Sequence, residues 1–299
     1  MPALWPDGQG NCPERPLRTA SLQSVDSDAV ASAPTRLSPA RTDPFWITLL
    51  LLAAALVAWL VTFARMDGMD AGPGTDLGSL GWYVGVWVTM MAAMMLPSAT
   101  PMVRLYAHIS REQNANGAAN VVRVAVFVGS YLGVWTAFGL AAFGLDRLVA
   151  SVESGTLSWD RAGPYVAGGA VVAAGLYELT PLKHVCLRHC RTPLHFLLGG
   201  WREGVRGAAR TGAAHGIYCS GCCVGLMLIL FAVGVMSLFW MVLIAAVIFS
   251  EKLLPGGERL SRFAGAAFIL LGVWIAVAPE SVPWLTDPGS AGSMMARVG

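Results

Sequence analysis

Of the 299 residues, 55% are hydrophobic and 13% charged, with a formal net charge of +2 and a mean hydropathy of +0.58. A soluble domain carries roughly 25% charged residues, so the composition excludes an ordinary water-soluble globule and points to segments whose solvent is lipid. So small a net charge, without a basic run, also excludes a nucleic-acid partner.

Residues 1–44 hold seven prolines, scattered Ser and mixed charges. They lack the apolar side chains to offset the entropy of ordering, so a solvated cytoplasmic tail is expected, not a signal peptide. Cys12 lies there without an assigned role. A membrane-crossing helix needs about 20 mostly apolar residues. Candidate spans run from Phe45 to Ala64, Gly81 to Leu96, Asn120 to Phe143, Pro164 to Thr180, Gly212 to Val235, Ser237 to Phe249 (extending to Leu254) and Phe263 to Ala278. The expected fold is all-α: a polytopic transmembrane bundle over 45–280 with about seven spans, then a flexible C-terminal tail over 281–299. The fifth and sixth spans nearly abut, so a tight hairpin near Gly234 to Ser237 or one re-entrant element is expected. Glycine is abundant, at 34 residues, as fits helices packed through small side chains.

Seven spans put sixteen of the 20 Lys and Arg residues on the side of the N-terminus, leaving Arg65, Arg147, Arg161 and Arg297 on the other. The positive-inside rule makes the first side, and the N-terminus with it, cytoplasmic. All five histidines (His108, His184, His189, His195 and His215) fall there too.

Three segments carry soft metal ligands toward that side. At the end of the second span, Met91 and Met95 share a helix face, as do Met90 and Met94. Thioethers select Cu(I), although methionine is equally a filler of apolar cores. After the fourth span, Pro181 is expected to end or kink the helix. If the turns beyond it are helical, Cys186 and Cys190 face the same way, with His184 and His189 among them. Arg188 and Arg191 nearby read as contacts to lipid headgroups.

The strongest pattern is His215-Gly-Ile-Tyr-Cys219-Ser-Gly-Cys222-Cys223. At about 100° per residue, its imidazole and three thiols fall within an arc of roughly 100° on one helix face. Thiolate and imidazole suit Cu(I) first and Zn(II) second. Packing of the cysteines as small apolar residues is the competing reading. Glu178 and the Glu251-Lys252 pair belong to membrane depth. Ionisable groups there are costly and paired, so they mark a functional site or a structural ion pair of Glu178 with Lys183 or Lys252.

The strings MMAAMMLPSATPM, YELTPLKHVCLRHCRTP, HGIYCSGCCVGLM, GVMSLFWM and EKLLPGG resemble the DUF2182 family of bacterial integral membrane proteins over Trp82 to Pro255. That family is described as metal-binding. The resemblance implies Cys186, Cys190, His215, Cys219, Cys222 and Cys223 as ligands.

The expected function is binding and handling of a soft metal in the bacterial cytoplasmic (inner) membrane. Copper(I) is favoured over zinc; Met91, Met94, Met95, His184 and His189 are auxiliary candidates. The lipid bilayer, the metal ion and a metallochaperone or assembly partner are the expected partners. No catalytic set is assigned, and a non-enzymatic role is favoured. One rival is a thiol–disulfide redox protein using Cys219 and Cys222 at a helix start, where thiol pKa falls. Another is a structural or assembly subunit without chemistry. Metal content after purification separates the first two; a triple serine variant at Cys186, Cys219 and Cys222 that keeps its cellular activity would mark the third.

Overall fold

A computed structural model describes residues 45–66, 78–113, 117–152, 159–233 and 238–278. The tails expected over 1–44 and 281–299, Cys12 and the hairpin near Gly234 to Ser237 lie outside those residues. The described residues form nine helices: α1 (Phe45–Met66), α2 (Leu80–Gln113), α3 (Gly117–Val152), α4 (Trp159–Glu178), α5 (Pro181–Arg191), α6 (Pro193–Gly200), α7 (Gly204–Val233), α8 (Leu238–Leu253) and α9 (Gly257–Val277).

Five of these, α1, α2, α3, α7 and α9, are long and apolar enough to cross a membrane, and α4 with α5 makes a sixth if the bent pair counts as one span. The sixth expected span differs. Its helix, α8, has 16 residues, about 24 Å at 1.5 Å per residue, short of a hydrocarbon core of about 30 Å. Pro255 ends it, because the residue before proline is pushed out of the helical region. The turn into α9 then passes through Gly256 at φ +85°.

Two other boundaries depart from expectation. Helix α2 continues through Pro97 and Pro101 to Gln113. Around the prolines, Ser98 Oγ donates to the Met95 carbonyl at 3.0 Å and Thr100 Oγ1 to that of Leu96 at 2.9 Å. Such back-bonding to a carbonyl one turn earlier is how Ser and Thr bury their hydroxyls inside an apolar helix, and it bends the helix slightly. Helix α7 begins at Gly204, eight residues before the apolar stretch, because Arg-bearing turns extend a helix as readily as apolar ones. The break expected at Pro181 does occur. Thr180 caps α5, its Oγ1 accepting from the Lys183 amide at 3.3 Å, with Pro181 at the first helical position. Helix α5 turns away from α4 by 62°.

Helix α9 packs along α4, α3 along α7, and α1 along α2. The α4–α9 seam is reciprocal. A Cβ on Gly175 would lie 2.7 Å from the Gly265 carbonyl oxygen, and one on Gly265 2.9 Å from that of Gly175. Gly168 and Gly272 repeat the arrangement two turns on, at 2.7 and 2.6 Å. Only glycine lets the two backbones come so close.

Among the described residues, large apolar side chains cover the outside and a few charged groups lie inside the apolar core. Large side chains such as Leu50, Phe263 and Leu270 are more than two-thirds exposed, whereas Glu178, Lys183, Glu251 and Lys252 are buried. Lys183 donates to the carboxylates of Glu178 and Glu251, the latter at 2.8 Å, tying α5 to α4 and α8. Ser261 of α9 adds a hydrogen bond to Glu178 at 2.9 Å. Arg188 and Arg191, expected to contact lipid headgroups, make protein contacts here. Arg188 pairs with Glu258 at 2.8 Å. Arg191 donates to the carbonyls of Glu251 and Leu254 at 2.5 and 2.8 Å, closing the C-terminal end of α8.

Candidate metal centre

The fixed points of the site are on α7. Its helical phase aims Cys219, Cys222 and Cys223 inward, each about 1% exposed. Their Sγ atoms all lie within 4.8 Å of one another, a width that two metal–sulfur bonds of about 2.3 Å bridge. Cys190 arrives from α5 and sets its sulfur 3.8 Å from that of Cys222, itself 3.5 Å from Cys223 Sγ. Thiols from two helices thus converge in the interior, through the bend at Pro181. All five described cysteines are free.

The three cysteines of α7 were expected in the first turns of a span. Because α7 starts at Gly204, Cys219 stands about 22 Å along the helix. A helix start, with the lowered thiol pKa it brings, is therefore not what surrounds these residues.

The other candidates spread around this centre. Cys186 is buried, its sulfur against Gly221, where a Cβ would come within 2.8 Å of it. His215 is buried one turn before Cys219, stacked on Tyr131 at 5.5 Å between centroids and edge-on to Phe196 at 5.9 Å. Its Nδ1 has no hydrogen-bond partner among the described residues. Met91, Met94 and Met95 of α2 share the buried core with Cys219, Cys222 and Cys223. His184 and His189 stand apart. His189 lies flat on Tyr218 at 4.2 Å, with Nδ1 at 2.8 Å from the Val185 carbonyl oxygen. With His195, Arg202, Arg210 and Tyr218 it borders an open groove of about 380 Å³. Buried His184 Nδ1 is without a partner among the described residues.

Two residues that sequence reasoning left out of the site touch it directly. Lys252 Nζ lies 3.0 Å from Cys219 Sγ, and the Tyr131 hydroxyl lies 3.1 Å from the same sulfur. Lys252 was legible as an ionisable group at membrane depth; of the two lysines expected to pair with Glu178, Lys183 does so, and Lys252 is left to the sulfur. Tyr131 carried no signal, being one aromatic among many on an apolar helix.

Chemically, the centre gathers polarizable sulfur donors with an available imidazole in a dry interior. That donor set fits a soft ion such as Cu(I) and offers a hard oxygen-seeking ion nothing.

Comparison with known proteins agrees with this chemistry. No curated protein and no solved structure matches the chain. The family described as PpoB2, copper chaperone, matches residues 84–275, a stretch that holds every thiol, imidazole and thioether named in the site. The chain belongs to the PpoB2 copper chaperone family.

Proposed function

We propose that this protein is a membrane-embedded carrier that takes up Cu(I) on buried thiols and passes it on. The observation that carries the reading is the meeting of Cys190 of α5 with Cys219, Cys222 and Cys223 of α7. In this reading Cys219 and Cys222 are the primary ligands, with Cys190 and Cys223 completing the sulfur set. His215, Met91, Met94 and Met95 are auxiliary, and His184 and His189 belong to the approach. Cys186 lies beside the site and not in it. Zn(II) is the second ion, since zinc also takes thiolate and imidazole.

Several features support a membrane setting. The five long apolar helices and the apolar outer surface with charges inside are what lipid demands. Up to α7 the Arg and Lys residues divide 13 to 3 in favour of the N-terminal side, whether or not α8 crosses, which supports a cytoplasmic N-terminus in a bacterial inner membrane. The DUF2182 resemblance covers nearly the same stretch as the copper chaperone family, and we take both as descriptions of one membrane domain. A recipient metallochaperone or assembly partner follows from delivery as a function.

The test is metal content. Full-length protein made in copper-supplemented cells and purified anaerobically in detergent is expected to hold about one copper per chain, and Cys222→Ser to hold almost none. Copper-free protein whose Cys219 and Cys222 cycle reversibly between dithiol and disulfide would replace this reading with the redox one. Zinc in place of copper would correct the ion while keeping the site.

A further inference from the structure

Two lysines are buried beside the bundle's polar interior, and they are differently placed. Lys183 has two carboxylates, those of Glu178 and Glu251. Lys252, though adjacent to Glu251 in sequence, has none among the described residues. Its ammonium touches only Cys219 Sγ at 3.0 Å and, more loosely, Ser98 Oγ at 3.4 Å. A buried ammonium needs an anionic partner, and the partner the fold provides is a sulfur. The Tyr131 hydroxyl lies 3.1 Å from the same sulfur, so an ammonium and a hydroxyl both face one Sγ, an arrangement that favours its thiolate form. Cys222 behaves oppositely, its own Sγ donating to the Cys219 carbonyl at 3.1 Å, as a thiol does. Among the described residues, the fold therefore sets one buried ammonium against the sulfur cluster with no carboxylate beside it.

Granted the copper reading above, we propose that Lys252 is the built-in counter-cation of the thiol site and makes it selective for a monovalent over a divalent ion. When Cu(I) binds Cys219 and Cys222, the Cys219 thiolate gives its electron pair to the metal. The Cys222 S–H bond breaks, its proton leaves to solvent, and the second sulfur bonds the ion. No electron changes hands. The bis-thiolate Cu(I) unit carries one negative charge, and with the Lys252 ammonium the pocket is neutral. Zn(II) on the same two thiolates is neutral by itself, so with Lys252 charged it must strip a further thiol proton, from Cys190 or Cys223, to reach the neutrality that Cu(I) reaches with two thiolates. Buried net charge is strongly unfavourable. Softness admits both ions, and charge separates them.

The experiment uses the full chain in detergent, titrated anaerobically with Cu(I) and separately with Zn(II) against chelators of known affinity. Lys252→Met and Lys252→Gln are expected to lower Cu(I) affinity at least about tenfold while Zn(II) affinity holds or rises, and Lys252→Arg to keep the wild-type Cu(I) to Zn(II) ratio. Neutral variants with an unchanged ratio, in a protein whose wild type does hold Cu(I), overturn the role of Lys252 and leave the copper reading standing. A wild type that holds no Cu(I) sinks both. A metal-free measurement covers the case where the neutral variants fold badly. Cys219→Ala alone is expected to lower the thermal midpoint by stranding the ammonium, and Lys252→Met added to it to restore much of the loss. No restoration would refute the pairing.

Discussion

The ammonium of Lys183 lies 2.8 Å from the carboxylate of Glu251, both shut away from solvent in the interior of the bundle. With Glu178 on its other side, Lys183 is the one charge that lets helices α4, α5 and α8 share an interior. Removing it strands two carboxylates. Lys183→Met is expected to destabilise the fold by on the order of 3–5 kcal/mol, measured as a fall in the detergent-solubilised thermal midpoint. Replacing Glu178 and Glu251 by glutamine in the same chain should recover part of that loss. A Lys183→Met protein as stable as wild type would mean the triad is dispensable.

The two cysteines of α5 should behave differently, although they stand on the same face of it. Cys190 meets Cys222, whereas Cys186 presses its sulfur against Gly221. Cys190→Ser is expected to weaken Cu(I) binding measurably, and Cys186→Ala to leave it within about twofold, since the latter loses only local packing. Chelator competition on both variants reads the difference directly.

Tyr131 shares one hydrogen bond with Cys219. Tyr131→Phe keeps the ring and its stacking on His215 but withdraws the hydroxyl. A net loss of about 1 kcal/mol in the stability of the ion-free protein is expected, seen as a fall in its thermal midpoint. An unchanged midpoint would mean that the hydroxyl contributes nothing to the fold at this sulfur.

At the α4–α9 seam, Gly175→Leu places a side chain where a Cβ alone would already stand 2.7 Å from the Gly265 carbonyl oxygen. The helices must separate, and a loss of several kcal/mol or outright misassembly is expected. Gly169→Leu, one residue past the clashing Gly168 and in open space, is the control. Its thermal midpoint should match wild type.

Much of this architecture was legible before any coordinate. The apolar runs gave the long helices, Pro181 marked the break between α4 and α5, and the helical phase of Cys219, Cys222 and Cys223 put them on one face. Boundaries set by apolarity alone failed where polar turns continue a helix, as at the Arg-bearing start of α7, and where prolines sit inside one, as in α2. The sixth expected span read as a crossing because its residues are apolar. Its length is fixed instead by Pro255, and its end by the Arg191 guanidinium on its last carbonyls. The partners of Cys219 were out of reach for a simpler reason. Lys252 and Tyr131 lie 33 and 88 positions away in the chain, and only packing of α3, α7 and α8 brings them to one sulfur.

The 62° turn between α4 and α5 gives the sulfur set an asymmetry. Three of its members ride on one rigid rod and keep their spacing however the bundle shifts. The fourth, Cys190, sits near the far tip of a short lever whose fulcrum is Leu179–Thr180. The contacts of Lys183, Arg188 and Arg191 hold that lever against α8 and α9, so the fourth sulfur stays with the other three only as long as those contacts do.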